Sequence, residues 1–241
     1  GTEVIEGTRA KKEALFVDLV RELDRLDEVA RFRISSIEPN LLTDEIIGIV
    51  AESKRFMPHF HVPLQSGNDK QLREMRRRYR RDLYAERVAT IKRLMPHACI
   101  GCDVIVGFPG ETEADFLETY HFIQEMDISY LHVFTYSERA NTPAAEMPGA
   151  VAVDERRRRN QALRGLSEMK RRAFYAAHTG TVRPALFEQH KDKGLLSGFT
   201  DNYVKIEMPF EPGLLNTVAP VLLEELTPDA EACRAVQFSE K

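Results

Sequence analysis

An α/β fold, a partial parallel βα barrel followed by a small all-β barrel, is what the 241-residue sequence predicts, on three observations. Apolar runs with β character recur along the first two thirds of the chain. A stretch with helical periodicity precedes each of them. After Gly180 the texture changes to short β-like segments broken at Gly and Pro. Strands that alternate with helices need crossover connections, hence parallel pairing. Right-handed crossovers curl such units into an open sheet or a barrel.

In chain order, residues 14–26 place Leu15, Leu19, Leu23 and Leu26 on one helical stripe, and the first strand follows at 32–37 (FRISSI). Residues 44–56 repeat the helical pattern with Ile46, Ile47 and Val50, and Thr43 stands at the N-cap position. The second strand is placed at 60–64 (FHVPL). Helices at 83–95 and 112–126 precede strands at 100–106 (IGCDVIV) and 130–136 (YLHVFTY). Thr112-Glu113 gives the second of these helices a good first turn. Four strands are too few to close a barrel and a helix precedes the first, so further strands are expected outside this polypeptide. Residues 154–178 form a long arginine-rich helical stretch. The β-like segments 181–189, 195–208, 216–226 and 233–239 come next, broken at Lys193-Gly194, Pro212-Gly213 and Thr227-Pro228. Two domains are expected, 1–178 and 179–241.

Composition excludes several classes. The chain is 43% hydrophobic and 30% charged, ordinary for a globular protein. No apolar run approaches the length of a membrane span, and the opening residues carry no signal-peptide pattern, so a cytoplasmic protein without a membrane partner is expected. The three cysteines, Cys99, Cys102 and Cys233, are an odd count that argues against a disulfide framework. Cys99 and Cys102 form a CxxC, but no second CxxC or CxxH completes a metal site, and an apolar run begins there. They are expected in the core, with no metal site in this chain.

Net charge is −4, but its distribution is uneven. Residues 73–81 (REMRRRYRR) hold six arginines against one glutamate, and 154–172 hold eight basic residues against three acids. Such stretches read either as solvated helix faces or as nucleic-acid contacts, with Arg76, Arg77, Arg78, Arg80, Arg157, Arg158 and Arg171 as the candidates. From residue 179 onward six basic residues face ten acids, a poor grip on phosphate.

Chemistry in parallel α/β folds collects in the loops that follow the strands. Here those loops are 35–40 (SSIEPN), 63–68 (PLQSGN), 106–112 (VGFPGET) and 136–143 (YSERANTP). All four offer hydroxyls, amides, carboxylates or glycines after apolar strands. Such groups suit a ribose or an amino-acid moiety, and glycine lets a ligand approach the backbone.

HVPLQSG (61–67), followed by MRRRY (75–79), resembles the methylthiotransferase branch of the radical S-adenosylmethionine enzymes. RISSIEP (33–39), DVIVGFPGET (103–112) and YSERANTPA (136–144) match that family in the same order, and GFTDNYVKIEMP (198–209) resembles its TRAM domain, a small RNA-binding barrel. The resemblance implies a partial radical S-adenosylmethionine barrel over 1–178 and a TRAM-like barrel over 179–241. It implies S-adenosylmethionine and [4Fe–4S] clusters as cofactors and tRNA as partner. The substrate would be a hypermodified adenosine beside the anticodon, with FTYSERANTPA closest to the branch acting on threonylcarbamoyladenosine. Gln65 and Ser66 would address ribose or methionine, Ile105 and Val106 would flank adenine, and Val133 and Phe134 would meet its edge. Ser36, Glu38 and Arg139 are candidate polar contacts; no catalytic residue is assigned. The family's cluster-binding CxxxCxxC does not occur in this chain, so the fragment itself is expected to be inactive.

Three other readings stay open. One is a methylthiotransferase acting on a ribosomal protein. Another is a non-catalytic RNA-binding α/β protein. The last is a cluster-free α/β barrel with the GFPGET turn as an anion site. An exposed sheet edge could also pair with a second copy.

Overall fold

The computed structural model describes residues 15–189 and 194–239. Ala14 of the first expected helix, and Lys191, Lys193 and Lys241, lie outside the described residues.

Four strands, β1 (Phe32–Ile34), β2 (Phe56–His61), β3 (Cys99–Val106) and β4 (Tyr130–Thr135), form one sheet in that order, every neighbouring pair parallel. Helices α1 (Phe16–Asp24), α2 (Asp44–Glu52), α3 (Asp69–Glu74), α4 (Arg81–Leu94) and α5 (Glu113–Glu125) precede or connect the strands. The longest helix, α6 (Val153–Ala176), packs against β4 and β3.

Alternation along each strand decides which side chains the helices cover. Ile34, Phe60, Ile100, Cys102, Val104, Val106 and Leu131 are buried in the core on the helix side. Their neighbours, Arg33, His59, His61, Asp103, Ile105, Tyr130, His132 and Phe134, occupy the opposite face. Gly101 is required there, because a Cβ would lie 2.2 Å from the Tyr130 ring.

Local capping follows the sequence. Thr43 accepts the Ile46 amide at 3.3 Å, and Thr112 and Asp115 cap α5 reciprocally. Several elements depart from expectation, and β1, expected over 32–37, stops at Ile34. Helix α2 ends at Glu52 and β2 begins at Phe56, because Ser53 turns extended and its hydroxyl accepts the amides of Arg55 and Phe56. The strand stops at His61, just before Pro63, which has no N–H to give the ladder. Helix α3 is an additional short element, capped by the Asn68 side chain on the Gln71 amide at 2.9 Å.

The C-terminal part of the chain closes into a five-stranded barrel in the order β5-β6-β7-β9-β8. Its strands are β5 (Val182–Gln189), β6 (Leu195–Thr200), β7 (Lys205–Pro209), β8 (Val218–Leu226) and β9 (Cys233–Gln237). The expected single strand 195–208 is two, because Tyr203 takes φ 68° and Thr200 Oγ1 accepts the Val204 amide at 2.9 Å. One pair, β7–β9, is parallel; the others are antiparallel. Phe187, Leu196, Ile206, Val221 and Leu223 fill the barrel core.

Sheet and barrel meet through that hairpin. The Tyr203 ring stacks on His59 at 4.1 Å, Arg33 lies over the Tyr203 ring at 4.5 Å, and Asn202 donates to the His97 carbonyl at 2.9 Å.

Candidate functional site at the strand ends

Because the four strands run parallel, their C-terminal loops emerge on one edge of the sheet. Two of those loops, after β3 and β4, border a cleft of about 660 Å³ together with the end of α3 and the residues that follow it. Arg73 and Arg76 line one side, and Ile105, Phe108, Tyr136 and Met147 line others. Arg77, also on the lining, bonds Glu38 at 3.2 Å and so ties the β1 loop to the cleft. Ser36 is exposed and borders a neighbouring cleft of about 590 Å³ with Glu38 and Asn40.

The β2 loop is fastened back onto β3. The Gln65 amide donates to the Asp103 carbonyl at 2.8 Å, and the Ile105 amide donates to the Gln65 carbonyl at 3.0 Å. Gln65 holds φ 68°, a left-handed conformation that a non-glycine residue adopts at a cost of about 1–3 kcal/mol. Its side-chain amide makes no hydrogen bond among the described residues. Ser66 differs: its hydroxyl pairs with Thr119 of α5 at 3.1 Å and accepts the Asn68 amide at 3.2 Å. Ile105 is half-buried on the open face, whereas Val106 next to it is fully buried on the helix side. Val133 likewise packs on the helix-side core and its carbonyl accepts from Asn160 at 3.2 Å, while Phe134 stands exposed on the open face.

Arginines of α6 brace the third and fourth loops. Gly107 holds φ +76°, and a Cβ there would meet the Arg156 side chain at 2.3 Å. Arg156 donates to the Val151 and Tyr136 carbonyls at 2.7 and 3.0 Å and to Glu138 at 2.5 Å. Glu111 accepts from the Gly107 amide and from Arg159, both at 2.7 Å, inside the protein. Burial pushes the Glu111 carboxyl up, and those two donors pull against it. The Arg156 guanidinium holds Glu138 below the usual carboxylate range. Arg139 is exposed beside them, its carbonyl accepting the Thr142 hydroxyl at 2.8 Å.

The basic stretches divide in the same way. Arg158 is paired with Glu113 at 2.6 Å and Glu155 at 2.5 Å, Arg171 with Glu231 of the barrel at 3.2 Å, and Arg157 with Asp154 at 3.2 Å. Arg80 donates to the Asp69 carbonyl at 2.9 Å. Arg76 and Arg78 are exposed, with no acidic partner among the described residues.

Sequence reasoning missed the open face of the sheet. His61 donates through Nε2 to Asp103 at 2.9 Å, and the His132 ring lies 5.4 Å from it. Such a histidine–carboxylate pair can hold a proton at a fixed atom. Strand alternation was the available signal, since His59, His61, Asp103 and His132 all fall on the residues opposite the apolar set.

The three cysteines are buried. Burial pushes the Cys99 and Cys102 thiols up to about 12, and Cys233 up to about 11. Iron–sulfur clusters need accessible thiolates, so these residues do not fit a cluster. No helix among the described residues is long and apolar enough to cross a membrane.

Comparison with known proteins agrees with this geometry. Residues 8–123 match the model of the radical SAM superfamily. The chain is 40% identical over 200 residues to the threonylcarbamoyladenosine tRNA methylthiotransferase MtaB of Bacillus subtilis, covering 81% of this chain and 44% of that protein. It is 34% identical over 212 residues to a tRNA-2-methylthio-N(6)-dimethylallyladenosine synthase of Desulfitobacterium hafniense, covering 87% and 47%. The chain thus spans less than half the length of these relatives. Among solved structures, the coproporphyrinogen III oxidase HemN of Escherichia coli, a radical SAM enzyme, superposes with a TM-score of 0.50 at 15% identity, over 64% of this chain and 36% of that one. That likeness is one of fold.

Proposed function

We propose, on the premise that this chain belongs to the radical S-adenosylmethionine superfamily and is related to its methylthiotransferases, that the intact protein methylthiolates a hypermodified adenosine beside the tRNA anticodon. The adenosine we assign is threonylcarbamoyladenosine, the substrate named for the Bacillus subtilis relative. A cytoplasmic location and tRNA as partner belong to the same reading.

One observation carries it. The loops after β3 and β4, each holding one of the ordered motifs, border a single cleft with the arginine-rich segment after α3, so its walls are aromatic on one side and cationic on another. S-adenosylmethionine and [4Fe–4S] clusters, when bound, supply the radical and methyl chemistry of this superfamily, and no residue of this chain is assigned to a cluster.

The chain's own residues bind and orient. Gln65, with a free side-chain amide on a loop pinned to β3, is the contact to an adenosyl group, with Ile105 and Phe134 as apolar surfaces on the open face. Glu38 and Arg77 hold the first loop to the segment that follows α3. The buried Glu111–Arg159 pair and Arg156 fix the third and fourth loops and keep water from their backbones. Val106 and Val133 support the floor from behind. Ser66 fixes the second loop to α5 rather than reaching the cofactor.

The test uses the intact enzyme, prepared without oxygen, and an anticodon stem-loop bearing threonylcarbamoyladenosine. A 2-methylthio product by nucleoside mass spectrometry is expected, with Gln65→Ala raising the S-adenosylmethionine concentration required about tenfold at unchanged iron content. Absence of product on any adenosine would overturn the reading. A normal cofactor requirement in the variant would remove Gln65 from the site.

A further inference from the structure

Two arginines in the cleft carry charges that the protein leaves unused. Arg73 and Arg76 line it, and neither has an acidic side-chain partner among the described residues. Arg77 beside them is committed to Glu38 at 3.2 Å. Glu74 is the one carboxylate on the lining, so that wall keeps an excess of positive charge.

The backbone at Arg76 makes the side chain harder to explain as filler. Arg76 follows the C-cap of α3 with φ +55°, its amide donating to the Arg73 carbonyl and the Arg77 amide to the Leu72 carbonyl, both at 2.9 Å. This helix-ending position favours glycine, because a Cβ is strained in the left-handed region. An arginine here accepts that strain, and its guanidinium returns no intramolecular ion pair to the fold.

The cleft also has an aromatic wall. Phe108 and Tyr136 pack edge to face, with centroids 5.3 Å apart and planes at 75°. The Tyr136 hydroxyl is buried and has no hydrogen-bond partner among the described residues. Ile105 lies on the lining with them. An aromatic wall with a polar atom to satisfy, next to an unpaired cationic wall, matches a flat base that carries an anionic arm.

We infer that Arg76, with Arg73 beside it, is the specificity-determining residue for a carboxylate on the N6 substituent of the substrate adenosine, with Phe108 and Tyr136 receiving the base. The inference rests on the reading of the substrate given above. The two substituents named for the relatives differ in this respect: threonylcarbamoyl ends in a carboxylate, dimethylallyl is an uncharged hydrocarbon. An RNA phosphate could offer the same oxyanion, and the arms of the test separate the two.

The experiment measures binding of the chain described here to three anticodon stem-loops of one sequence, bearing unmodified, dimethylallyl or threonylcarbamoyl adenosine. All three keep every phosphate; one has the carboxylate. A preference of about tenfold for the threonylcarbamoyl loop over the other two is expected, equivalent to about 1.4 kcal/mol. Arg76→Gln should reduce the preference to about twofold or less, and Arg76→Lys should restore part of it. Arg76→Gly removes the charge where glycine suits the backbone, so it should lose the preference with a Tm no lower than that of the unmodified protein. Equal affinity for the three loops, or a preference that survives Arg76→Gln and Arg76→Gly, overturns this inference and leaves the proposed function standing. No binding of any stem-loop likewise overturns this inference, whereas the proposed function falls only with the product assay on the intact enzyme.

Discussion

His59 should make the protein acid-labile. Its side chain is almost wholly buried where the sheet meets the barrel, stacked on Tyr203 at 4.1 Å. One ring nitrogen bonds the Tyr130 hydroxyl at 3.0 Å, and the other is buried with no partner among the described residues. A protonated imidazole would have to donate from both. Burial, then the charges of Arg33 and His61, push its pKa down from 6.5 to about 3. The other titratable groups packed around it are Tyr130, Tyr203, and Asp103, which is bonded to His61. Because the folded-state pKa is depressed, the unfolded chain binds the extra proton. Stability is therefore full above about 6.5 and falls as pH drops towards about 3. At about pH 4.5 the unfolded histidine is charged and the folded one still neutral, a loss of about 2.7 kcal/mol over two pH units. That is a large share of the ~5–15 kcal/mol that holds a domain folded. Urea unfolding of the wild type and of His59→Gln, followed by circular dichroism at about pH 7 and pH 4.5, isolates the term. Glutamine keeps a polar group for Tyr130 and does not titrate. The wild type should lose about 2–3 kcal/mol more than the variant over that interval; equal losses would refute the reasoning.

Two further substitutions probe the frame around the site. Gly198→Ala would place a Cβ 2.1 Å from the Leu186 carbonyl oxygen, so β5 and β6 must part, at about 2 kcal/mol or more; an unchanged Tm would contradict this close approach. Glu111→Gln removes the shortest and most buried carboxylate partner of Arg159, which keeps Glu155 at 3.0 Å and Glu113 at 3.3 Å, and should destabilise the chain by about 1–3 kcal/mol in denaturant. A loss below about 1 kcal/mol would show the pair to be dispensable.

The strand-end loops were legible because glycine, proline and amide residues mark where apolar runs stop, and parallel topology then brings their ends to one edge. Thr43 and Thr112 announced their helices through local hydrogen bonds that sequence spacing determines. What escaped prediction depends on contacts across the chain. Arg159 meets Glu111 from 48 residues away, so a basic run that looks free along the sequence is partly spent inside the molecule. Tyr203 reaches His59 from the barrel, a pairing that no local pattern encodes. Gln65 and Arg76 adopt left-handed backbones without the glycine or asparagine that would signal them. Ser66 and Val106 sit one position from residues facing the open side, and alternation turns them away.

The nucleosides of cellular tRNA provide the most direct check on what this chain is for. In cells whose copy of the intact gene is deleted, mass spectrometry of digested tRNA should find threonylcarbamoyladenosine without its 2-methylthio group, and the gene returned in trans should restore the group. Unaltered methylthiolation of that nucleoside in the deleted cells, in the absence of a second gene able to supply it, would contradict the account.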